Sequence, residues 1–382
     1  MGSIGKSKQT FKLKYCINYI CIALFLLVMV LFSSAGMLSR STTNLLSQIA
    51  YSIILAVSLN LVVGFLGELS LGHAGFMCVG AYIGCLFANY LHTVMESNLL
   101  ILILSMLVGG SVAAVFGFII GLPALRLKGD YLAIVTLAFG EIVRNVFKNL
   151  EVFGGAMGLN THKYSADSLF IVAFITVLIV LFFIQNLIRS KHGRAITSIR
   201  DNEIAAKAMG INVTFYKLFV FVISAFFAGI AGTLYGHYAT PVLYSFFSYN
   251  YSIEILVMVV LGGMGSINGS IIAAALITYV NFQLQANLSG DLAALKFLIY
   301  ALILIIMILF NNAPAFQPIR EKLNFKNLFA KVKRGHKRPE VVKDDDADWN
   351  RIDSKIKMDE VLSVELQPGE SISPDKPEKE EK

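Results

Sequence analysis

RSKHGRAITSIRDNEIAAKAMGINVTFYK, residues 189–217, is the longest polar interval between apolar segments in this chain, and what flanks it decides the fold. An apolar run of membrane-spanning length leads into it over residues 168–188, and another leaves it over 217–237. Arg189, Lys191, Arg194, Arg200, Lys207 and Lys217 give it the excess of cations that marks a cytoplasmic loop. Its middle predicts a short helix. Asp201 or Asn202 caps it, Glu203 puts negative charge in the first turn, and Gly210 stops it at C′. Ile204, Ala205, Ala206, Ala208 and Met209 form a small apolar surface shaped to dock; the other reading of this spacing is a solvated connector at the headgroups.

Working outward, the composition agrees. Of 382 residues, 56% are hydrophobic and 15% charged, against roughly 25% charged in soluble domains. Mean hydropathy is +0.68. Apolar runs near 20 residues recur, and in lipid each must satisfy its own backbone groups, which predicts helices. The short alternating segments of a barrel are absent. The fold class is therefore all-α, a polytopic membrane bundle of about ten helices, at roughly 15–37, 43–63, 69–91, 98–122, 130–148, 168–188, 217–237, 244–262, 267–287 and 292–310. About five spans per half permits an inverted repeat, although no convincing residue match links the halves.

Charge sets the expected orientation. The net +7 lies mainly at segment ends, as topology signals do, and does not argue for nucleic acid. With the basic amino terminus, residues 1–14, in the cytoplasm, the loops holding Arg126/Lys128 and 189–216 fall inside, as does Arg320 to Arg338. The loops around Glu96, Pro241 and Ser289–Asp291 fall outside; Lys148 and Lys163 sit on the outer side against the trend. Both termini are expected in the cytoplasm, with the permeating domain over 15–310. Residues 311–382 are expected to form a charged, mostly disordered tail whose basic part meets anionic lipid or only water. The first apolar run outlasts a signal-peptide core and reads as a retained span. The eighth, interrupted by Ser245, Ser248, Asn250, Ser252 and Glu254, reads as a weak span or a re-entrant one.

Polar groups inside spans need a partner or water. Glu141 and Arg144 lie three apart on one helix and can pair. Asn60, His73 and Glu254 have no partner nearby in sequence and are the candidates for a polar pathway; Glu68 and Asp130 are also placed within spans. Small residues crowd 64–84 and 262–270, which fits either a path between helices or tight packing. Cys16, Cys21, Cys78 and Cys85 lack metal-ligand spacing and read as buried thiols. No cofactor or metal is expected on the chain. The nearest echo of a nucleotide-binding GxxxxGK[ST] is Gly5-Lys6-Ser7, without its first glycine or a preceding strand, and no HExxH, nucleophile elbow or haem ligand pair appears. The chain is not expected to be an enzyme, and has no engine of its own.

Four stretches carry a resemblance: NLVVGFLGELSLGHAGFMCVGAY (60–82), LRLKGDYLAIVTLAFGEIVRNV (125–146), GRAITSIRDNEIAAKAMGINVTFYKLFVFVISAFFAGIAGTLYGHY (193–238) and SIEILVMVVLGGMGSINGSIIAAAL (252–276). In this order they resemble the LivM-type permeases of branched-chain amino-acid ABC importers, in the bacterial inner membrane. The resemblance implies half of a translocation pathway for leucine, isoleucine or valine. It implies as partners a homologous LivH-type permease, an extracytoplasmic substrate-binding protein and two cytoplasmic ATPase subunits, which hold the ATP and magnesium. It makes Arg200, Asp201, Glu203, Ala205, Ala206 and Gly210 the coupling loop that sits in a groove of the ATPase. Urea, short amides or another small amino acid remain alternative cargoes, and a stand-alone ion-coupled carrier or a membrane scaffold for the tail are readings of another class. GGAMGL (154–159) departs from the Pro-Asn-Gly form common in the family, and the long tail is outside its pattern.

Overall fold

The computed structural model describes residues 17–34, 39–127, 129–162, 164, 166–287, 301, 302 and 305. These belong to the first of two compact units, Met1–Pro314; the second, Ala315–Lys382, lies outside the described residues, as do nearly all of the tenth expected span and the tail. Eleven helices are described: α1 Ile17–Ser34, α2 Arg40–Asn60, α3 His73–Leu91, α4 Asn98–Ala124, α5 Asp130–Asn149, α6 Ala166–Arg189, α7 Lys191–Asp201, α8 Glu203–Ala208, α9 Val213–Tyr238, α10 Tyr249–Gly262 and α11 Ile267–Asn287. Among the described residues the only β-type pairing is an isolated bridge between Leu159 and Val242. The fold is an all-α polytopic membrane bundle.

Six described helices are long and apolar enough to cross a membrane, and their burial separates centre from periphery. The stretch Arg40–Leu66 has 94% of its apolar window buried, whereas Ile267–Gln285 has 28%. The second span is thus the axis around which others pack. Beside it α3, α4 and α9 form the closest packing, and small residues explain why. A Cβ added at Gly80 of α3 would strike the Gly229 backbone of α9, and one at Gly232 would strike the Met77 carbonyl. Thr233 seals this seam, donating its hydroxyl toward the Gly80 carbonyl at 3.0 Å.

Three expected spans are redrawn. The second continues past Asn60 as a widened π-helical turn, Leu61–Leu66, and breaks at Gly67, whose φ of +82° is a left-handed conformation glycine adopts without strain. The third begins at His73 rather than near residue 69, because the backbone between is engaged sideways: the Leu71 N–H donates to Thr136 Oγ1 of α5 at 3.0 Å. The eighth is a 3₁₀ turn, Tyr244–Phe247, followed by α10, whose 14 residues span about 21 Å, less than the ~30 Å hydrocarbon core. α10 and α11 form an antiparallel hairpin, with Gly262 against Gly269 near the turn and Glu254 bonded to Asn281 further along.

Candidate functional site

The polar interval folds as two helices, α7 and α8, each started by a side-chain cap. Ser190 Oγ accepts from the Gly193 N–H at 3.3 Å, and Asn202 Oδ1 accepts from the Ala205 N–H at 3.0 Å. Asn202 is therefore the cap of α8, and Asp201 instead pairs with Arg200 at 2.9 Å. The end is set by Gly210, φ +80°. Its N–H donates to the Lys207 carbonyl at 3.0 Å and the Ile211 N–H to Ala206 at 3.1 Å, the two bonds of a Schellman stop. Asn212 then caps α9 through the Phe215 N–H at 3.1 Å. Caps at both ends fix a six-residue helix that could not stand alone.

That fixed orientation splits the expected apolar surface. Ala206 turns inward, 3% exposed, while Ile204 is 81% and Met209 83% exposed. Ala205 and Ala208 are exposed beside them. Glu203 and Arg200 point the other way, into the bundle. Glu203 accepts from Lys217 Nζ at 3.1 Å, and the same ammonium pairs with Glu68, just past the break in the second span. Arg200 Nη1 donates to the Gly64 carbonyl at 3.1 Å, and its methylenes lie across Gly67, where a Cβ would meet Cγ at 2.8 Å.

The far side of the same break is held by Asn60. Its Nδ2 donates to the Ser266 carbonyl at 3.1 Å and to Ser270 Oγ at 2.9 Å, and its Oδ1 accepts from the Gly265 N–H at 2.9 Å. Both ends of this amide are engaged and the residue is fully buried. His73 is also buried, its Nε2 2.9 Å from Ser58 Oγ, next to the point where Ser224 donates to the Ser58 carbonyl at 2.7 Å. Glu254 lies elsewhere: it accepts from Asn281 Nδ2 across the α10–α11 hairpin, and among the described residues no ion pair gives it a cation. Asn60 and His73 therefore flank the joint of the second span, Glu254 sits on the hairpin, and no hydrogen bond links the three.

Glu141 and Arg144 pair on α5 through two contacts of 2.6 and 2.9 Å. Glu141 Oε1 also accepts from the Tyr249 N–H at 2.9 Å, which ties α5 to the start of α10. Cys78 and Cys85 are buried free thiols. Among the described residues no group of His, Cys, Asp or Glu is arranged to hold a metal ion. At the end of the bundle opposite α8, Asn89 and residues 158–162 meet the end of α9: Asn89 donates to the Asn160 carbonyl at 2.8 Å and Thr161 to the Gly236 carbonyl at 3.0 Å. There the His92 and His162 rings lie 4.2 Å apart. Burial first, and the neighbouring His162 second, hold the His92 pKa below its ordinary value, while burial pushes the Tyr164 phenol up to about 12.

The contacts missed in sequence are Lys217–Glu68 and Arg200–Gly64. Lys217 reads as one more flanking cation, yet it lies inside α9, with only 4% of its side chain exposed. A lysine within an apolar helix and a glutamate at a glycine-flanked break were the available signals.

Residues 41–308, which enclose this whole arrangement, match the family described as branched-chain amino acid transport system / permease component. This chain belongs to that family. Within it, the chain is similar to the high-affinity branched-chain amino acid transport system permease protein LivM of Escherichia coli K12, 34% identical over 343 residues, 81% of this chain and 78% of the relative. The probable LivM of Methanocaldococcus jannaschii is 28% identical over 264 residues, 59% of this chain and 76% of its own. The LivH permease of Salmonella typhimurium is 21% identical over 276 residues, 66% and 88%. No solved structure matches the chain. The family is one of transport permease components rather than enzymes, and the six apolar helices of membrane-crossing length described here accord with a multi-pass membrane protein.

Proposed function

We propose that this chain is a permease subunit of an ATP-driven importer of leucine, isoleucine and valine, worked from the cytoplasm through α8. It forms half of the pathway with a LivH-type permease, in a bacterial inner membrane with both termini inside. Two ATPase subunits bind ATP and magnesium, and an extracytoplasmic binding protein delivers the solute. One observation carries the reading: Ile204 and Met209 stand exposed on a helix capped at both ends, whose inner side is linked through Lys217 to Glu68 beyond the break in the central span. Exposed apolar anchors on a rigid element are what a partner groove recognises. ATP closure of the ATPases pushes α8, and the cavity between the two permeases changes from outward to inward opening. Asn60, His73 and Glu254 are the polar groups placed along that path.

Replacing both anchors, Ile204→Glu with Met209→Glu, is expected to weaken ATPase association by about 2 kcal/mol or more, roughly 30-fold, while the chain still inserts. Co-purification of the ATPases from membranes reads the first effect and the amount of the chain in the membrane fraction reads the second, while radiolabelled leucine uptake, competed with unlabelled leucine or urea, is expected to fall and reads the cargo. Wild-type association and uptake in the double variant would remove α8 from the mechanism; competition by urea alone would change the cargo.

A further inference from the structure

Two side chains join the α7–α8 segment to the stretch 61–68, and they reach it at different points. The first is Lys217, one ammonium between two carboxylates, Glu203 of α8 at 3.1 Å and Glu68 beyond the break. Holding α9 to the second span needs one carboxylate. The second places α8 on the same three ammonium hydrogens, so a shift of Glu203 changes how firmly Lys217 holds Glu68. With only 4% of the Lys217 side chain exposed, water cannot stand in for a departing carboxylate as it would on the surface, which makes the exchange between partners discrete. The Glu203 side chain is 36% exposed and can leave for solvent, whereas Glu68 is 14% exposed.

The second contact is Arg200. Carbonyls in the last turn of a helix lack an intrahelical donor, and the break at Gly67 leaves such groups at the end of the second span, beside α7. Arg200 donates to one of them, Gly64, and its stem lies on Gly67 where a side chain would exclude it. Asp201 grips the same guanidinium at 2.9 and 3.0 Å and fixes its fork. Beyond the break, Asn60 passes the connection to Ser266, Gly265 and Ser270, and so to the hairpin that carries Glu254.

We propose that Lys217 and Arg200 are the positioning residues that convert displacement of α8 into displacement of residues 61–68 and of the α10–α11 hairpin behind them. This rests on the reading of α8 as the surface an ATPase moves. α9, packed along the glycine seam, is the fixed element, and the widened turn 61–66 is the part that yields. Proximity alone is not coupling. The test therefore measures solute moved per ATP hydrolysed, a ratio that a loss of folded complex does not change.

The complete complex, with its ATPases and binding protein, is reconstituted in vesicles and given radiolabelled leucine. The double variant Lys217→Met with Glu68→Gln removes the buried ammonium and its buried carboxylate together, so no charge is stranded in the bundle. It is expected to keep its ATPases in wild-type ratio and to go on hydrolysing ATP, while leucine moved per ATP falls about tenfold. Lys217→Arg, which keeps a cation between the two carboxylates, is expected to hold the ratio within about threefold of wild type. Arg200→Gln is expected to lower the ratio in the same direction. A double variant with an unchanged ratio overturns the proposal, as does uptake lost only in proportion to ATPase subunits lost. A wild-type chain that binds no ATPase at all would overturn the proposed function instead, and the two failures are read in separate lanes of the same experiment.

Discussion

The seam between α3 and α9 and the grip around residues 60–68 are both built on glycines, yet they hold by different physics. At the seam backbone meets backbone: Gly80 lies against Gly229, and Gly232 against Met77, with Thr233 bonded across. Dispersion over many atoms holds it, and no single bond can be exchanged for another. Around the break, a few directed bonds from Arg200, Lys217 and Asn60 carry the contact, and Lys217 divides its ammonium between two carboxylates. Close packing keeps shape; directed polar bonds can switch. One molecule places the two side by side, so that α9 serves the first with one face and the second with Lys217.

The comparison is broken most easily at the seam. Gly80→Leu forces a side chain into the Gly229 backbone, and is expected to cost about 4 kcal/mol or more, seen as loss of the cooperative melting transition in detergent. A variant that melts like the wild type would mean the seam opens freely and is no fixed element. At the grip, Asn60→Ala strands the Gly265 N–H and frees Ser270, and is expected to cost about 2 kcal/mol while the bundle stays folded. Hydrogen exchange should then rise at residues 263–266 with little change along α3 and α9; a uniform rise would make the two regions one cooperative unit.

The smallest effect is expected at the end opposite α8. Burial first, and the neighbouring His162 second, hold the His92 pKa below its ordinary value in the folded chain. The unfolded chain therefore takes up the proton first, and the stability present above the ordinary histidine value near 6.5 is lost as pH falls from there through the folded value. Solvent screening keeps this under about 1 kcal/mol. Exchange protection of residues 160–162 should fall between pH 7 and pH 5; protection that is flat or rises would place the proton elsewhere.

How much of this was legible depends on how local the cause is. Apolar runs predict helices from length alone, and the ends of α8 were readable because Asn202 and Gly210 act within four residues of themselves. The Glu141–Arg144 pair lies within one helical turn and was readable for the same reason. The partners of Asn60 lie 205 to 210 residues away, and nothing in the spacing of the chain announces them. In the sequence Lys217 reads as one of the cations at a loop edge because charge is counted along a sequence, whereas burial is decided across it.

By itself, then, the sequence determined that this is a helical membrane protein of the branched-chain permease family, with a capped polar helix between two spans. Those properties follow from hydropathy, capping and motif, each a property of a contiguous stretch. Tertiary structure alone decided that the second span breaks into a widened turn, that Lys217 faces inward between two glutamates, and that Asn60 closes a clasp on the α10–α11 turn. The physical reason is that a buried polar group is tolerated only where distant parts of the chain converge to satisfy it, and that convergence exists only once the helices have packed.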